Sequence, residues 1–123
     1  MNSEDTYKRY SRQIILKEFG EEAQEKLLNA KVMVAGAGGL GCPALLYLAA
    51  AGAGTIGIAD FDVADISNLQ RQTLYVMDDI GKSKAESAAK KLKAFNPEIE
   101  IRIYDVKLDN QNALKIISEY DVI

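Results

Sequence analysis

A chain of 123 residues, 48% of them hydrophobic, is enough for one packed domain and too short for two ordinary ones. Fifteen lysines and arginines stand against 18 acids, a formal charge of -3, so no strong global field draws the chain to nucleic acid or an anionic membrane. With no histidine, a histidine base, a histidine-rich metal site and a catalytic triad are excluded, and any chemistry runs on Asp, Arg, Lys, Asn and backbone amides.

The first five residues are polar and acidic, with neither the basic nor the apolar region of a secretory signal. Tyr7, Tyr10, Ile14 and Ile15 recur at helical spacing from about Glu4 to Lys17, and Ala23, Leu27 and Leu28 predict a second short helix after Gly20. These N-terminal helices, residues 1–30, precede the core proper. Lys31 opens the apolar run Val32-Met33-Val34-Ala35, which reads as a buried strand running into glycine. Leu40 to Ala51 predicts a buried helix with Pro43 in its first turn, where the missing N–H is harmless. Gly52-Ala53-Gly54 closes it, and Thr55 to Ala59 predicts a second strand ending at Asp60, which completes a βαβ unit.

Asp62 to Gln72 is too rich in Asp, Ser, Asn and Gln for core and reads as a long functional loop or short irregular helix. Ser83-Lys84-Ala85-Glu86 has the form of a capping box, followed by the stripe Ala85, Ala88, Ala89, Leu92 and Phe95 until Asn96-Pro97 stops the helix. Ile99, Ile101 and Ile103 alternate with polar residues, as in a strand near a sheet edge. Ala113, Ile116, Ile117 and Tyr120 mark another short helix, and Tyr120 to Ile123 reads as the start of a fourth strand.

The expected fold is α/β: a Rossmann-like, doubly wound, mostly parallel sheet over residues 31–123 behind the N-terminal helices, truncated after the fourth strand. A chain that stops inside a strand is expected to be part of a longer protein. No charged residue occurs from Val32 to Ala59, but seven glycines and Pro43 break that stretch into three short elements, so it is not read as a membrane span. The single cysteine, Cys42, has no partner for a disulfide or a Cys-x-x-Cys zinc pair, which fits a reducing compartment with the cytoplasm as default.

Gly36-Ala37-Gly38-Gly39-Leu40-Gly41 satisfies G-x-G-x-x-G between a predicted strand and a predicted helix, the context in which the motif carries weight. Such a loop turns sharply and lets phosphate oxygens approach its N–H groups, and the helix start behind it adds roughly half a positive charge. Asp60, about 20 residues on at the end of the second strand, is placed for ribose hydroxyls. The bland alternative, glycines for packing and a surface acid, is weaker with strand, helix and acid in register. The motif does not separate ATP from NAD.

Asn68 and Arg71 lie beyond the carboxyl end of the second strand, on the side where the glycine loop opens. An isolated loop arginine is usually solvated. Lys84 follows the cap Ser83, where the helix dipole disfavours a cation by roughly 0.3 to 1 kcal/mol unless an anion is near. It and Lys82 either serve such an anion or simply point to water.

Five segments together carry a family resemblance: Arg9-Tyr10-Ser11-Arg12-Gln13-Ile14, Gly36 to Cys42, Asp60-Phe61-Asp62, Ser67-Asn68-Leu69-Gln70-Arg71-Gln72, and Gly81-Lys82-Ser83-Lys84-Ala85. Over nearly its whole length the chain resembles the adenylating domain of the MoeB/ThiF/HesA enzymes and, more distantly, of ubiquitin-activating enzymes. The resemblance implies that Gly36, Gly38, Gly39, Gly41, Asp60, Asp62, Asn68, Arg71 and Lys84 bind the nucleotide. It also implies that Arg71 and Lys84 act catalytically on the phosphates, joined by Arg12 from the other subunit of a homodimer. The implied reaction is attack by the C-terminal glycine carboxylate of a Gly-Gly-ending, ubiquitin-like sulfur-carrier protein on the α-phosphorus of ATP, for thiamine or molybdopterin biosynthesis.

ATP and Mg²⁺ are the implied cofactors. The family's magnesium aspartate and its structural Zn²⁺ cysteine pairs would come after Ile123, so no metal ligand is assigned in this chain, and the piece alone is expected to bind nucleotide weakly or not at all. Cys42 matches a structural position and not a sulfur-carrying thiol. Neither membrane nor nucleic acid is an expected partner. The rival readings are an NAD(P)-binding oxidoreductase domain, an adenylating enzyme acting on a modified tRNA adenosine, and a non-catalytic dimerisation subunit.

Overall fold

Caps and breakers set the element boundaries in the computed structural model, which describes residues 3–123; Met1 and Asn2, from the polar start of the chain, lie outside the described residues. Ser3 caps helix α1, Glu4–Ile14, by accepting from the Thr6 amide at 3.0 Å, and Glu4 and Asp5 complement the helix dipole in its first turn. The helix ends before the predicted Lys17, and only Tyr10 and Ile14 of the predicted stripe are buried. Helix α2 spans Gly20–Asn29, and its buried residue is Gln24; Leu27 and Leu28 are half-buried.

The core consists of β1 (Lys31–Ala35), α3 (Gly41–Ala51), β2 (Thr55–Ala59), α4 (Lys84–Phe95), β3 (Glu100–Tyr104) and α5 (Ala113–Ile117). Two 3-10 turns, Ile66–Asn68 and Met77–Asp79, shape the long connection between β2 and α4. The strands form a parallel sheet in the order β1-β2-β3, with Val32 opposite Ile56 and Ile56 opposite Ile101. On the free side of β1, Val122 makes a parallel bridge to Val32, and its carbonyl accepts from the Met33 amide at 2.8 Å. The start of a fourth strand therefore lies beside β1, as the mononucleotide-binding order requires.

Ile56 and Ile58 of β2 pack with Leu45, Ala49, Ala85, Ala88, Leu92 and Ile99 to form the core between the sheet and helices α3 and α4. The alanines let the two helices lie close together, and truncating Leu92 to Ala would cost about 2–5 kcal/mol. On the opposite face of β2, Gly57 leaves room for Tyr120: a Cβ there would lie 2.5 Å from the Tyr120 hydroxyl. Tyr120 follows α5 instead of riding on it and hydrogen-bonds the Tyr104 hydroxyl at 2.8 Å.

Helix α3 departs from its sequence reading. Only Cys42, Leu45 and Ala49 are buried, whereas Leu40 is 90% and Tyr47 73% exposed. An uncharged composition reads as buried all round, but α3 covers the sheet with one face and leaves the other open. Gly52 ends it with φ 90°, and a Cβ there would collide with the Tyr10 ring at 2.7 Å.

The carbonyls at this end of α3 are satisfied by side chains. Ala51 accepts from Gln13 at 2.8 Å and Gln24 at 3.0 Å, and Ala49 accepts from Asn96 at 2.8 Å. Asn96 also donates to the Tyr10 hydroxyl, so the chain turns inward at Asn96, and Phe95, predicted on the apolar stripe of α4, is left half exposed. Among the described residues no helix is long and apolar enough to cross a membrane.

Candidate functional site

The glycine loop joins β1 to α3 at the carboxyl edge of the sheet. Gly36 has φ 101°, its amide donates to Ala59 O at 2.7 Å, and its carbonyl fills the space where Gly41 lacks a side chain: a Cβ on Gly41 would lie 1.9 Å from Gly36 O. The start of α3 has no side-chain cap and no acid in its first turn, which leaves the partial positive charge of the helix end uncompensated by protein groups there.

Between these glycines the Ala37 peptide is held from both sides. Its N–H donates to Asp60 Oδ2 at 2.8 Å, and its carbonyl accepts from the Tyr75 hydroxyl at 2.6 Å and from Cys42 Sγ at 3.4 Å. The other carboxylate oxygen of Asp60 accepts from the Asp62 amide at 2.8 Å. Asp60, predicted to meet ribose, thus also organises the loop. Burial raises the pKa of Tyr75 far above its ordinary range, so its hydroxyl stays protonated as the donor; burial likewise raises the Cys42 thiol.

The polar loop lies against this cradle. The stem of Arg71 packs on Gly39, where a Cβ would meet Arg71 Cγ and Cδ at 3.5 Å, while its guanidinium is exposed and donates to Ser67 O at 3.3 Å and Gln70 Oε1 at 3.2 Å. The next side chain, Gln72, is 4% exposed and lies against Gly38. Asn68 accepts from the Asp65 amide through its Oδ1 at 3.0 Å, and Asp65 caps Ser67 in return, so the oxygen end of Asn68 serves the 3-10 turn that presents Arg71. The Ser67 hydroxyl bonded to Asp65 lowers that carboxyl's pKa.

Lys84 does not point to water. It is 6% exposed at the start of α4, with its amide bound to Asp62 O at 3.0 Å and its Nζ 3.8 Å from Asp62 Oδ2. Lys82 is exposed. Arg12 is exposed on α1, whose neighbouring Gln13 binds the carboxyl end of α3, at the far end of that helix from the glycine loop. Arg12 is therefore not brought to this chain's own loop.

A cavity of about 180 Å³ opens beside the loop, lined by Ala35, Gly36, Asp60, Phe61, Val106 and Leu108 among others. Its apolar walls and carboxylate suit a nucleoside, and the Lys107 ammonium lies 6.0 Å from the Phe61 ring centre. A larger groove of about 540 Å³ between α4 and β3 lies away from these groups and mixes Glu86, Lys90, Lys93 and Glu98.

The cradle can fix an anion with amides, place a cation over it and hold a flat ligand in the cavity. Tyr75 and Gln72 also meet the glycine loop, although Tyr75 stands in no motif and Gln72 stands at the end of the Ser67 to Gln72 segment with no role of its own. The available signal for Tyr75 was an apolar pair, Leu74-Tyr75, inside a polar connection.

The family model described as "ThiF family" matches residues 10–123. The chain is 53% identical over 120 residues to the adenylyltransferase and sulfurtransferase UBA4 of Scheffersomyces stipitis, covering 97% of this chain and 27% of that protein. It is 49% identical over 115 residues to the sulfur carrier protein adenylyltransferase of Thermus thermophilus, covering 94% and 42%. Against the Escherichia coli tRNA N6-threonylcarbamoyladenosine dehydratase TcdA, solved in complex with AMP, the TM-score is 0.92 at 29% identity, covering 99% of this chain and 50% of that one. The same protein has been solved with ATP. The chain thus spans 27% and 42% of the length of these two curated relatives. With the glycine loop, the Asp60 edge and the Arg71 turn in one place, and the match running through all of them, the chain belongs to the ThiF family.

Proposed function

We propose that this chain is the nucleotide-binding part of an ATP-dependent adenylyltransferase that activates the terminal glycine carboxylate of a ubiquitin-like sulfur-carrier protein. The observation that carries the reading is the laying of the Arg71 side chain over Gly39 at the start of α3, which has no side-chain cap, so that a cation stands beside the glycine loop and the positive end of a helix. Relatives named for adenylyl transfer at about half identity support it.

In the proposed reaction a carboxylate oxygen attacks the α-phosphorus, the bond to the β-phosphate breaks, and pyrophosphate leaves with the electron pair. The attacking group is already ionised at neutral pH, which fits a site without histidine. The chain's contribution is positioning and charge: loop amides hold phosphate oxygens, Arg71 and Lys84 offset the charge that builds on them, and Asp60 orients the ribose. Asp62 holds Lys84 in place and Asn68 holds the turn of Arg71.

Among the described residues no group of three potential ligands could hold a metal ion, and both Asp60 oxygens already accept from amides. A Mg²⁺ ion held mainly by the phosphates of ATP would need only one or two carboxylates and would supply further charge neutralisation on those phosphates. Arg12, remote from its own loop, is proposed to serve the site of a second copy in a homodimer, for which the uncharged open face of α3 with Tyr47, together with Leu40 just before the helix, is the proposed contact. A cytoplasmic location is proposed from the single reduced, buried cysteine.

ATP–pyrophosphate exchange by the complete gene product tests the reading. Exchange that requires a carrier protein ending in glycine supports it; exchange that requires tRNA alone supports the tRNA-directed alternative. Thermal protection by NAD and not by ATP would overturn both in favour of a dehydrogenase domain.

A further inference from the structure

Gln72 is 4% exposed, and its Oε1 is the buried side-chain oxygen without a hydrogen-bond partner among the described residues. A polar group buried in this way lowers stability, which is why such groups are rare unless function retains them. The unpartnered group is not in a random place. Its amide end faces the glycine loop, with Nε2 3.7 Å from where a Gly38 Cβ would stand. Its neighbour Arg71 covers Gly39, and the backbone between them is fixed by Gln72 N donating to Asn68 O at 2.8 Å and Tyr75 N to Gln72 O at 3.2 Å.

We infer that the Gln72 carboxamide is a nucleotide-binding group, held with Nε2 toward the glycine loop to donate to a phosphate oxygen of ATP; this rests on the nucleotide site proposed above and adds a residue to it. The carboxamide dipole points its positive end at the cradle and its negative end into the protein. Without an anion that orientation leaves Oε1 unsatisfied for no return. Beside a phosphate it adds a fixed donor to those of the loop, and the donor needs no reorganisation as negative charge builds. A side chain kept only to fill the space under Gly38 would be better served by an apolar one of the same length.

That contrast supplies the test. In the complete gene product, Gln72→Met keeps the length and removes both polar atoms. The ligand-free melting temperature is expected to hold or rise, because an unsatisfied oxygen is lost, while the dissociation constant for ATP with magnesium, by titration calorimetry, rises about 10-fold to 100-fold. A ligand-free variant that melts several degrees lower would overturn the inference, since the carboxamide would then serve the fold. Unchanged stability with unchanged ATP affinity would overturn it as well, and would leave the nucleotide site intact. Failure of the unsubstituted protein to bind ATP at all would instead remove the nucleotide reading, and this inference with it.

Discussion

The Tyr75 hydroxyl reaches the Ala37 carbonyl at 2.6 Å, so a residue of the connection that carries Arg71 fixes the middle of the glycine loop. The loop and the arginine segment are thereby one unit. Tyr75→Phe retains the ring and leaves the Ala37 carbonyl with only the weak Cys42 donor. A loss of about 1–2 kcal/mol in denaturant unfolding is expected, with weaker ATP binding than the stability change alone would give. Unaltered binding would mean that the peptide holds its orientation without the tyrosine.

Arg71 and Lys84 should separate in their effects. Arg71 is exposed, so Arg71→Ala is expected to fold normally while pyrophosphate exchange falls by about two to three orders of magnitude. Lys84 is buried beside Asp62 at 3.8 Å, so Lys84→Met is expected to lose activity to a similar degree together with a small change in melting temperature. Full exchange by the Arg71 variant would contradict the proposed role of the guanidinium.

Gly41 tolerates no side chain. Its Cβ would stand 1.9 Å from the Gly36 carbonyl, which is backbone and cannot step aside without opening the loop. Gly41→Ala is expected to abolish ATP protection in a thermal shift assay and to lower stability by roughly 1–3 kcal/mol. A variant as stable and as well protected as the parent would show that the loop can rearrange.

Asp79 gives the fold an acid-sensitive point. Burial pushes its carboxyl up, but the hydrogen bond from Lys91, at 2.9 Å, and that from the Val76 amide, at 2.8 Å, together outweigh burial and hold it below the ordinary 3.8. A carboxyl with a lowered folded pKa contributes stability above its unfolded value, and this contribution is lost as pH falls below 3.8 toward the folded value. Asp79→Asn is therefore expected to be less stable near neutrality by about 1–2 kcal/mol and to lose less on acidification in that window. Parallel pH–stability curves for the two proteins would refute the assignment.

The regular elements were legible because their apolar patterns are local. Thr55–Ala59 has the bounds its sequence predicted, and the α4 stripe from Ala85 to Leu92 is buried as its spacing required. The pairing of the glycines with Asp60 was legible from a motif whose context is strand, turn and helix, whereas Arg71, read by itself as a solvated loop arginine, was assigned there only through the family resemblance. What escaped was polar burial decided by distant partners. Gln24 and Asn96 are fully buried because they satisfy carbonyls at the end of α3, and nothing in their own neighbourhoods announces that. Phe95 lost its place in the core to the same cause. Tyr75 escaped because its acceptor lies 38 residues earlier in the chain. Lys84 was ambiguous, since solvation and an unseen anion predict the same sequence, and its burial beside Asp62 became visible only in three dimensions.

The bridge between Val32 and Val122 has a consequence for how a ligand gets in. The chain winds outward from β1 through β2 to β3 and then comes back to the other flank of β1, so the strand order reverses at β1. In an open parallel sheet such a reversal is where a crevice forms outside the carboxyl ends of the strands, and Gly36 follows β1 at that edge. A ligand of the kind proposed would need no hollow in the hydrophobic interior.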